Sequence, residues 1–273
     1  MFITSNPLVT IKYRGSFYYW DADRSGSRMS LKGTTSRMLI AALLVLCSVL
    51  VAWRTLGRSA APVNAQLIVA ASSAVSCAIL AFLCRGRKRR EFSPTRWCTP
   101  RPLWSTWLSP VVAICVGACY GSAASVLLAH GFTWALPLAL LPGTTMLGMA
   151  LVLKLQLRGG NASAIRVPLA LTCCLSAGMG LALDIVLALC LVKSGWGNPG
   201  ATSAASWATL LAVVLTPTLL LGITLALAST VDKLAYAVED GRAKFWESYG
   251  GLALSVALLW IFIDLPFWFS RRR

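Results

Sequence analysis

The sequence predicts an all-α membrane protein, a polytopic bundle of about seven transmembrane helices. Of its 273 residues, 57% are hydrophobic and only 12% are charged. Soluble domains usually carry about 25% charged residues. A water-soluble fold of this size has too little interior to bury so much apolar surface. The apolar residues also lie in long continuous runs, which is typical of membrane-spanning helices.

Seven apolar runs follow a polar N-terminal segment, and none has a Lys or Arg in its interior. They lie near 38–53, 63–84, 107–129, 133–153, 167–192, 205–231 and 249–270. A bilayer core of about 30 Å needs about 20 helical residues, so the first run is slightly short and the others suffice. Helices are expected instead of a β-barrel because the runs are continuously apolar and do not alternate. The predicted organisation is a basic cytoplasmic N-terminal tail (1–37), a transmembrane helical domain (38–270) and a basic C-terminal end (271–273).

The first run also has the features of a signal peptide. Arg37 precedes it, and alanine-rich sequence follows near Ala60. A retained first helix is the preferred interpretation. Six further spans follow in either case.

Basic residues predict the orientation of the chain. The net charge is +16, and 19 of the 25 Lys and Arg fall on one side if the N-terminus is cytoplasmic. This asymmetry follows the rule that cytoplasmic loops carry the excess of basic residues. The three arginines at 271–273 are the exception. Either that short tail crosses the membrane, or one run is re-entrant and the number of helices is even.

The densest basic segment follows the second apolar run. Its cations are Arg85, Arg87, Lys88, Arg89 and Arg90. Near an anionic membrane surface, each cation gains about 1 kcal/mol. The segment is therefore predicted to contact anionic lipid headgroups or an acidic partner, although it could serve only to fix orientation. The expected partners are the lipid bilayer and other membrane subunits, and not nucleic acid, because no nucleic-acid-binding pattern accompanies the charge.

Asp184 is the strongest candidate for a functional residue. It lies in the fifth run, a few residues from the middle. An intramembrane carboxylate costs about 2.5–3.5 kcal/mol on insertion scales and usually faces a bundle interior or a polar cavity. Two interpretations remain open: a proton or cation site, or a carboxyl group that bonds to a neighbouring helix for structural reasons. No second carboxyl group lies at a matching depth.

Helix breakers occur near mid-depth in two other runs. The fourth run contains Pro142 and Gly143, and the sixth contains Pro217. Proline removes a backbone donor, and a threonine hydroxyl can satisfy the freed carbonyl. Broken helices in different parts of a chain point to a transporter's binding site, although kinks also occur without transport. The residues predicted to line a polar path are Asp184, Thr144, Thr145, Thr216 and Thr218.

Small residues recur in two of the runs. Gly117 and Gly121 form a GxxxG pattern, and Ser176, Gly178 and Gly180 form another small-residue face. Such positions let helix backbones approach closely. Packing within the chain is expected to account for both.

Several chemistries are excluded. A single histidine, His130, rules out a bis-histidine haem within the chain. HExxH, Walker A and GxGxxG patterns are absent, and no CxxC pair indicates a zinc or redox site. Most of the nine cysteines lie inside apolar runs, where cysteine behaves as a small hydrophobic residue. No catalytic, cofactor-binding or metal-binding residue is predicted, and no cofactor.

Two functions remain. The first is a small transporter or permease-like component with an intramembrane carboxylate. The second is a non-catalytic membrane anchor or subunit of a larger respiratory or assembly complex. A membrane enzyme is not expected, because no nucleophile–base pair is recognisable. The surroundings of Asp184 separate the two: a hydrated cavity favours transport, and a packed helix favours the subunit.

The orientation is testable by labelling with a membrane-impermeant thiol reagent. A cysteine introduced at Gly86 in a cysteine-free background is expected to react only after the membrane is opened. Its neighbours are the basic residues that the orientation rule holds in the cytoplasm. Strong reaction from outside in intact cells would contradict the predicted orientation.

Overall fold

The computed structural model describes residues 29–58, 63–84, 102–130, 132, 134–158, 169–193, 206–239, 244 and 246–270. These residues form seven helices and no strand. The helices are α1 (Leu31–Arg58), α2 (Val63–Cys84), α3 (Pro102–Ala129), α4 (Ala135–Arg158), α5 (Leu169–Lys193), α6 (Ser206–Glu239) and α7 (Trp246–Ser270). The predicted all-α polytopic bundle is confirmed.

Five of these helices contain described stretches that are long and apolar enough to cross a membrane. The stretches are Leu31–Leu56, Val63–Ala81, Ser105–Ala129, Ala135–Leu157 and Leu215–Asp232. In α5, the apolar stretch within the described residues is shorter, Thr172–Leu187. The chain is therefore an integral membrane protein.

Several helices extend beyond the apolar runs that predict them. Helix α1 begins at Leu31 instead of 38, and α6 continues to Glu239 instead of ending at 231. At the start of α1, the backbone N–H of Gly33 donates to Ser30 Oγ at 2.9 Å, an N-cap bond. Hydrophobicity marks only the membrane core. A helix continues into the polar region until capping groups satisfy its last backbone donors or acceptors.

Four helices form the centre of the bundle. Helix α1 packs on α3, α4 and α7, while α2 lies mainly on α3, α5 on α4, and α6 on α7. Most of α4 is buried, whereas α2 is mostly exposed. Helix α1 therefore has a central place in the bundle, in contact with three other helices.

Helices α1, α3 and α7 run in the same direction. Gly117 of α3 lies against Ser48 of α1, and Gly121 lies against Ala52, so the numbers rise together. The Tyr120 hydroxyl donates to the carbonyl of Leu258 in α7 at 2.7 Å, and Gly251 of that helix lies beside Ser109, eleven residues before Tyr120. Seven successive crossings require this arrangement. Helix α7 therefore ends at the face opposite the start of α1.

The GxxxG pattern of α3 is used within the chain. A Cβ atom on Gly117 would overlap Ser48 and the carbonyl oxygen of Val45. A Cβ atom on Gly121 would lie 2.5 Å from the carbonyl oxygen of Val49. The Ser48 hydroxyl donates to the carbonyl of Leu44 at 2.8 Å, so the polar group at the crossing is satisfied. Both glycines are needed for α1 and α3 to meet this closely.

Replacement of Gly117 by Ala tests this crossing. The added methyl group would displace backbone of α1, and overpacking of this kind costs about 1–3 kcal/mol. We expect a lower unfolding midpoint in detergent. The matched control is Gly178→Ala, since a Cβ atom at Gly178 meets nothing within 4 Å. That control should be neutral or slightly stabilising; equal losses in the two variants would contradict the α1–α3 contact.

Candidate functional site

Helices α4 and α5 come closest at two glycines. A Cβ atom on Gly148 would lie 2.8 Å from the backbone nitrogen of Gly180 and 3.0 Å from the carbonyl oxygen of Ser176. A Cβ atom on Gly180 would lie 2.7 Å from the Cα atom of Thr145. The residue numbers of the contacting positions fall along α5 as they rise along α4, so the two helices are antiparallel. Neither glycine has room for a side chain, and this fixes which face of α5 lies on α4.

The face of α5 that lies on α4 carries a row of small and polar residues. Its members recur at every fourth position, which places them on one side of a helix. All of them are buried: Thr172, Ser176, Gly180 and Asp184. Elsewhere on α5, apolar side chains such as Leu175 and Ile185 are about half exposed. The helix therefore turns its polar row inward and its apolar side chains towards lipid.

Asp184 is the ionisable group of this row, and only 5% of its surface is exposed. Among the described residues, its Oδ1 atom has no hydrogen-bond partner, and neither has the Oγ atom of Ser176, two turns away. A buried polar group left without a partner costs about 1–3 kcal/mol, and more when it is charged. Asp184 thus offers an acceptor that a proton, a water molecule or a cation would satisfy.

The antiparallel register places Asp184 level with Pro142 of α4. Gly180 lies beside Thr145, so one turn further along α5 corresponds to one turn back along α4, near Pro142. Proline has no N–H, and the carbonyl of Leu138 therefore loses its helical donor. The buried carboxyl group and Pro142 lie at one depth in the bundle. Helix α4 continues through Pro142 as one helix, so the interruption expected there from the sequence is not found.

Both threonines that follow Pro142 are buried, and both are bonded within α4. The Thr145 hydroxyl donates to the carbonyl of Leu141 at 2.6 Å, and the Thr144 hydroxyl lies 3.1 Å from the same oxygen. The carbonyl that accepts these bonds is not the one that loses its donor at Pro142, contrary to the expectation from the sequence. A threonine hydroxyl reaches the carbonyl three or four residues back. The carbonyl of Leu138 is six and seven residues back and out of reach.

The other two residues of the predicted path lie on α6. Thr216 is half-buried, whereas Thr218 is exposed, on either side of Pro217. Helix α6 packs less extensively on α4 and α5 than those two helices pack on each other. The structure thus brings Thr145 and Asp184 to one interface and leaves Thr218 on the outer surface of the bundle.

Two other features bear on the chemistry of the chain. The basic residues Arg85, Arg87, Lys88, Arg89 and Arg90 fall outside the described residues. Within the described helices, no three His, Cys, Asp or Glu side chains are grouped as a metal ion would need. The ionisable groups buried in the described part of the bundle include a second carboxyl group, Glu247, at the start of α7.

The sequence singles out Asp184, and separately a small-residue face of Ser176, Gly178 and Gly180, but it does not join Ser176 or Thr172 to Asp184 in one row. Gly178 lies outside that row, exposed. The signal is present, because the spacing of four residues ends at Asp184. It cannot be interpreted alone, since several faces of α5 contain small residues. Only the contact with α4 shows which face is buried.

Protein-family models, curated proteins and solved structures were compared with this chain, and none of them matches. The function is therefore inferred from the geometry of this site.

Proposed function

We propose that the chain is a small membrane transporter component in which Asp184 holds a proton or a small cation during transport. The observation that supports this proposal is the Oδ1 atom of Asp184, which has no partner in the described part of the chain although the carboxyl group is almost fully buried. A carboxyl group placed only for structure is expected to find its donors within the fold. One that exchanges a ligand needs an oxygen that the fold leaves unsatisfied.

The position of the carboxyl group fits this role. It lies level with Pro142, whose missing N–H leaves the carbonyl of Leu138 without its helical donor. Helix α5 lies at the edge of the bundle, mainly on α4. A helix held by one main partner can slide by small steps along it, as in shear motions. Such a step would move Asp184 relative to Pro142 and the carbonyl of Leu138 in α4.

The alternative function is a non-catalytic membrane anchor or subunit of a larger complex. Asp184 faces a closely packed helix, because Gly148 and Gly180 bring α4 and α5 into contact one turn away. By the criterion taken from the sequence, this packing favours the subunit, whereas the Oδ1 atom left unsatisfied among the described residues favours transport. The two functions therefore differ in one respect: whether the Asp184 side chain exchanges its ligand.

Replacement of Asp184 by Asn separates them. Asparagine keeps the size and hydrogen-bonding capacity of the side chain but cannot carry the exchangeable proton or the charge. We expect ion flux into reconstituted vesicles to fall about tenfold or more, while the unfolding midpoint in detergent stays nearly unchanged. Flux is followed with a pH-sensitive dye under proton gradients, and with sodium and potassium gradients. The matched control is Asp232→Asn, an exposed carboxyl group at the far end of α6.

Unchanged flux in a folded Asp184→Asn protein would remove the residue-level support for transport. The subunit function would then be preferred. A second comparison tests the structural role. If Asp184 serves only structure, Asp184→Leu reduces the folded yield through the loss of polar contacts, whereas Asp184→Asn does not.

The orientation and the lipid contacts form a second part of the proposal. We infer that the N-terminus is cytoplasmic and that the basic segment at 85–90 contacts anionic headgroups or an acidic partner. Support comes from the concentration of basic residues on one predicted side. The shared direction of α1, α3 and α7 is compatible with that assignment but does not choose between the two sides.

Neutralisation of four cations tests the lipid contact. Replacing Arg87, Lys88, Arg89 and Arg90 by Gln should weaken the enrichment of spin-labelled phosphatidylserine around the protein several-fold, since each cation contributes about 1 kcal/mol. The control replaces the three arginines at 271–273, which lie on the opposite predicted side. If only the orientation changes and the lipid enrichment does not, the basic segment serves insertion alone.

A further inference from the structure

Glu247 and Ser30 join the starts of two helices that are far apart in sequence. Glu247 lies in the first turn of α7, and 7% of its surface is exposed. Its Oε1 atom accepts the backbone N–H of Ser30 at 2.9 Å and the Ser30 hydroxyl at 2.8 Å. Ser30 is the residue before α1. The contact thus spans 217 positions of the chain.

The same serine caps α1. Its Oγ atom accepts the backbone N–H of Gly33 at 2.9 Å, and its carbonyl accepts that of Thr34 at 3.0 Å. In a capping box, the N-cap side chain bonds the third helical residue, and a Glu or Gln at that residue bonds the N-cap N–H in return. Here the third helical residue is Gly33, which has no side chain. Glu247 supplies the missing carboxylate from α7.

Gly33 leaves the space that this carboxylate fills. A Cβ atom on Gly33 would coincide with the carboxyl group of Glu247, and the three atoms nearest to that position are the carboxyl carbon and both carboxyl oxygens. A side chain at position 33 and the observed position of Glu247 are therefore mutually exclusive. Position 33 is a glycine because the carboxyl group of Glu247 occupies the space that a side chain there would need.

The surroundings favour a buried negative charge at this place. The N-terminus of a helix carries a partial positive charge, and Glu247 lies at the starts of both α1 and α7. Its own backbone N–H donates to the carbonyl of Lys244 at 3.1 Å. One turn further, Gly250 packs on Thr34, and Gly251 packs on Ser109 of α3. The starts of three parallel helices are thus held together here.

We propose that Glu247 completes the capping box of α1 in trans and acts as a lock between the start of α1 and the start of α7. The lock also holds Ser30 and the buried Met29, the two described residues that precede α1. Opening the lock frees these two residues together with the first turn of α1. The inference holds for either of the two functions considered above.

Gly33→Ala gives the sharpest test, because the contact with Glu247 reverses the sign of its expected effect on stability. Near a helix start, alanine normally stabilises relative to glycine. With the lock, the methyl group displaces the carboxylate from Ser30. We expect the unfolding midpoint of the full chain in detergent to fall by about 5 °C. Hydrogen exchange in the first turn of α1, and proteolysis before Ser30, should both become faster. The control is Gly178→Ala, which meets no neighbouring atom.

The companion variant is Gly33→Ala in a Glu247→Ala background. Removing the carboxylate removes the clash, so the added methyl group should then be neutral or stabilising. If Gly33→Ala alone does not accumulate, recovery of the folded yield in the double variant supports the lock, and continued failure contradicts it. A stabilising effect of Gly33→Ala alone, or the same loss in both backgrounds, would also overturn the proposal.

Discussion

Contacts between helix backbones at glycine residues determine where the polar groups of this bundle lie. Gly121 touches the backbone of α1, and Gly148 and Gly180 touch each other's helices. Lipid tails are as apolar as leucine, so membrane helices gain little from hiding hydrophobic surface and associate by close packing. Because a glycine contact allows one rotation of each helix, the α4–α5 crossing decides that the row ending at Asp184 faces inward. The inward position of Asp184 is therefore a consequence of how α4 and α5 pack.

Two buried carboxyl groups show how differently the same chemistry can be accommodated. Glu247 receives two hydrogen bonds from Ser30 and lies at helix N-termini, so the fold supplies what a carboxylate requires. Asp184 lies beside α4 with Oδ1 unpartnered among the described residues. Burial of an unsatisfied polar group is costly, so native structures contain few such groups and each one calls for an explanation. The satisfied carboxyl group is therefore assigned to structure, and the unsatisfied one is the group for which we propose ligand exchange.

The sequence predicts the helices of this fold well and their contacts poorly. Continuous apolar runs reveal each helix, because the bilayer demands them, yet they do not reveal that α1 begins at Leu31. Asp184 stands out for its cost in a membrane. Its neighbours Thr172 and Ser176 do not, since nothing in α5 alone says which face meets α4. The partnership of Ser30 with Glu247 is likewise invisible, because a local capping pattern would place the acid at position 33.

The central claim is that the face of α5 bearing Asp184 is turned towards α4, and cysteine cross-linking measures this directly. In a cysteine-free background, Val152→Cys on α4 is combined in turn with Thr172→Cys, Ser176→Cys or Leu175→Cys on α5, and disulfide formation is measured after mild oxidation in the membrane. Val152 is buried one turn from Gly148, and Leu175 is 49% exposed. The account predicts cross-links to Thr172→Cys or Ser176→Cys and none to Leu175→Cys. A cross-link to Leu175→Cys, with none to the other two, would contradict it.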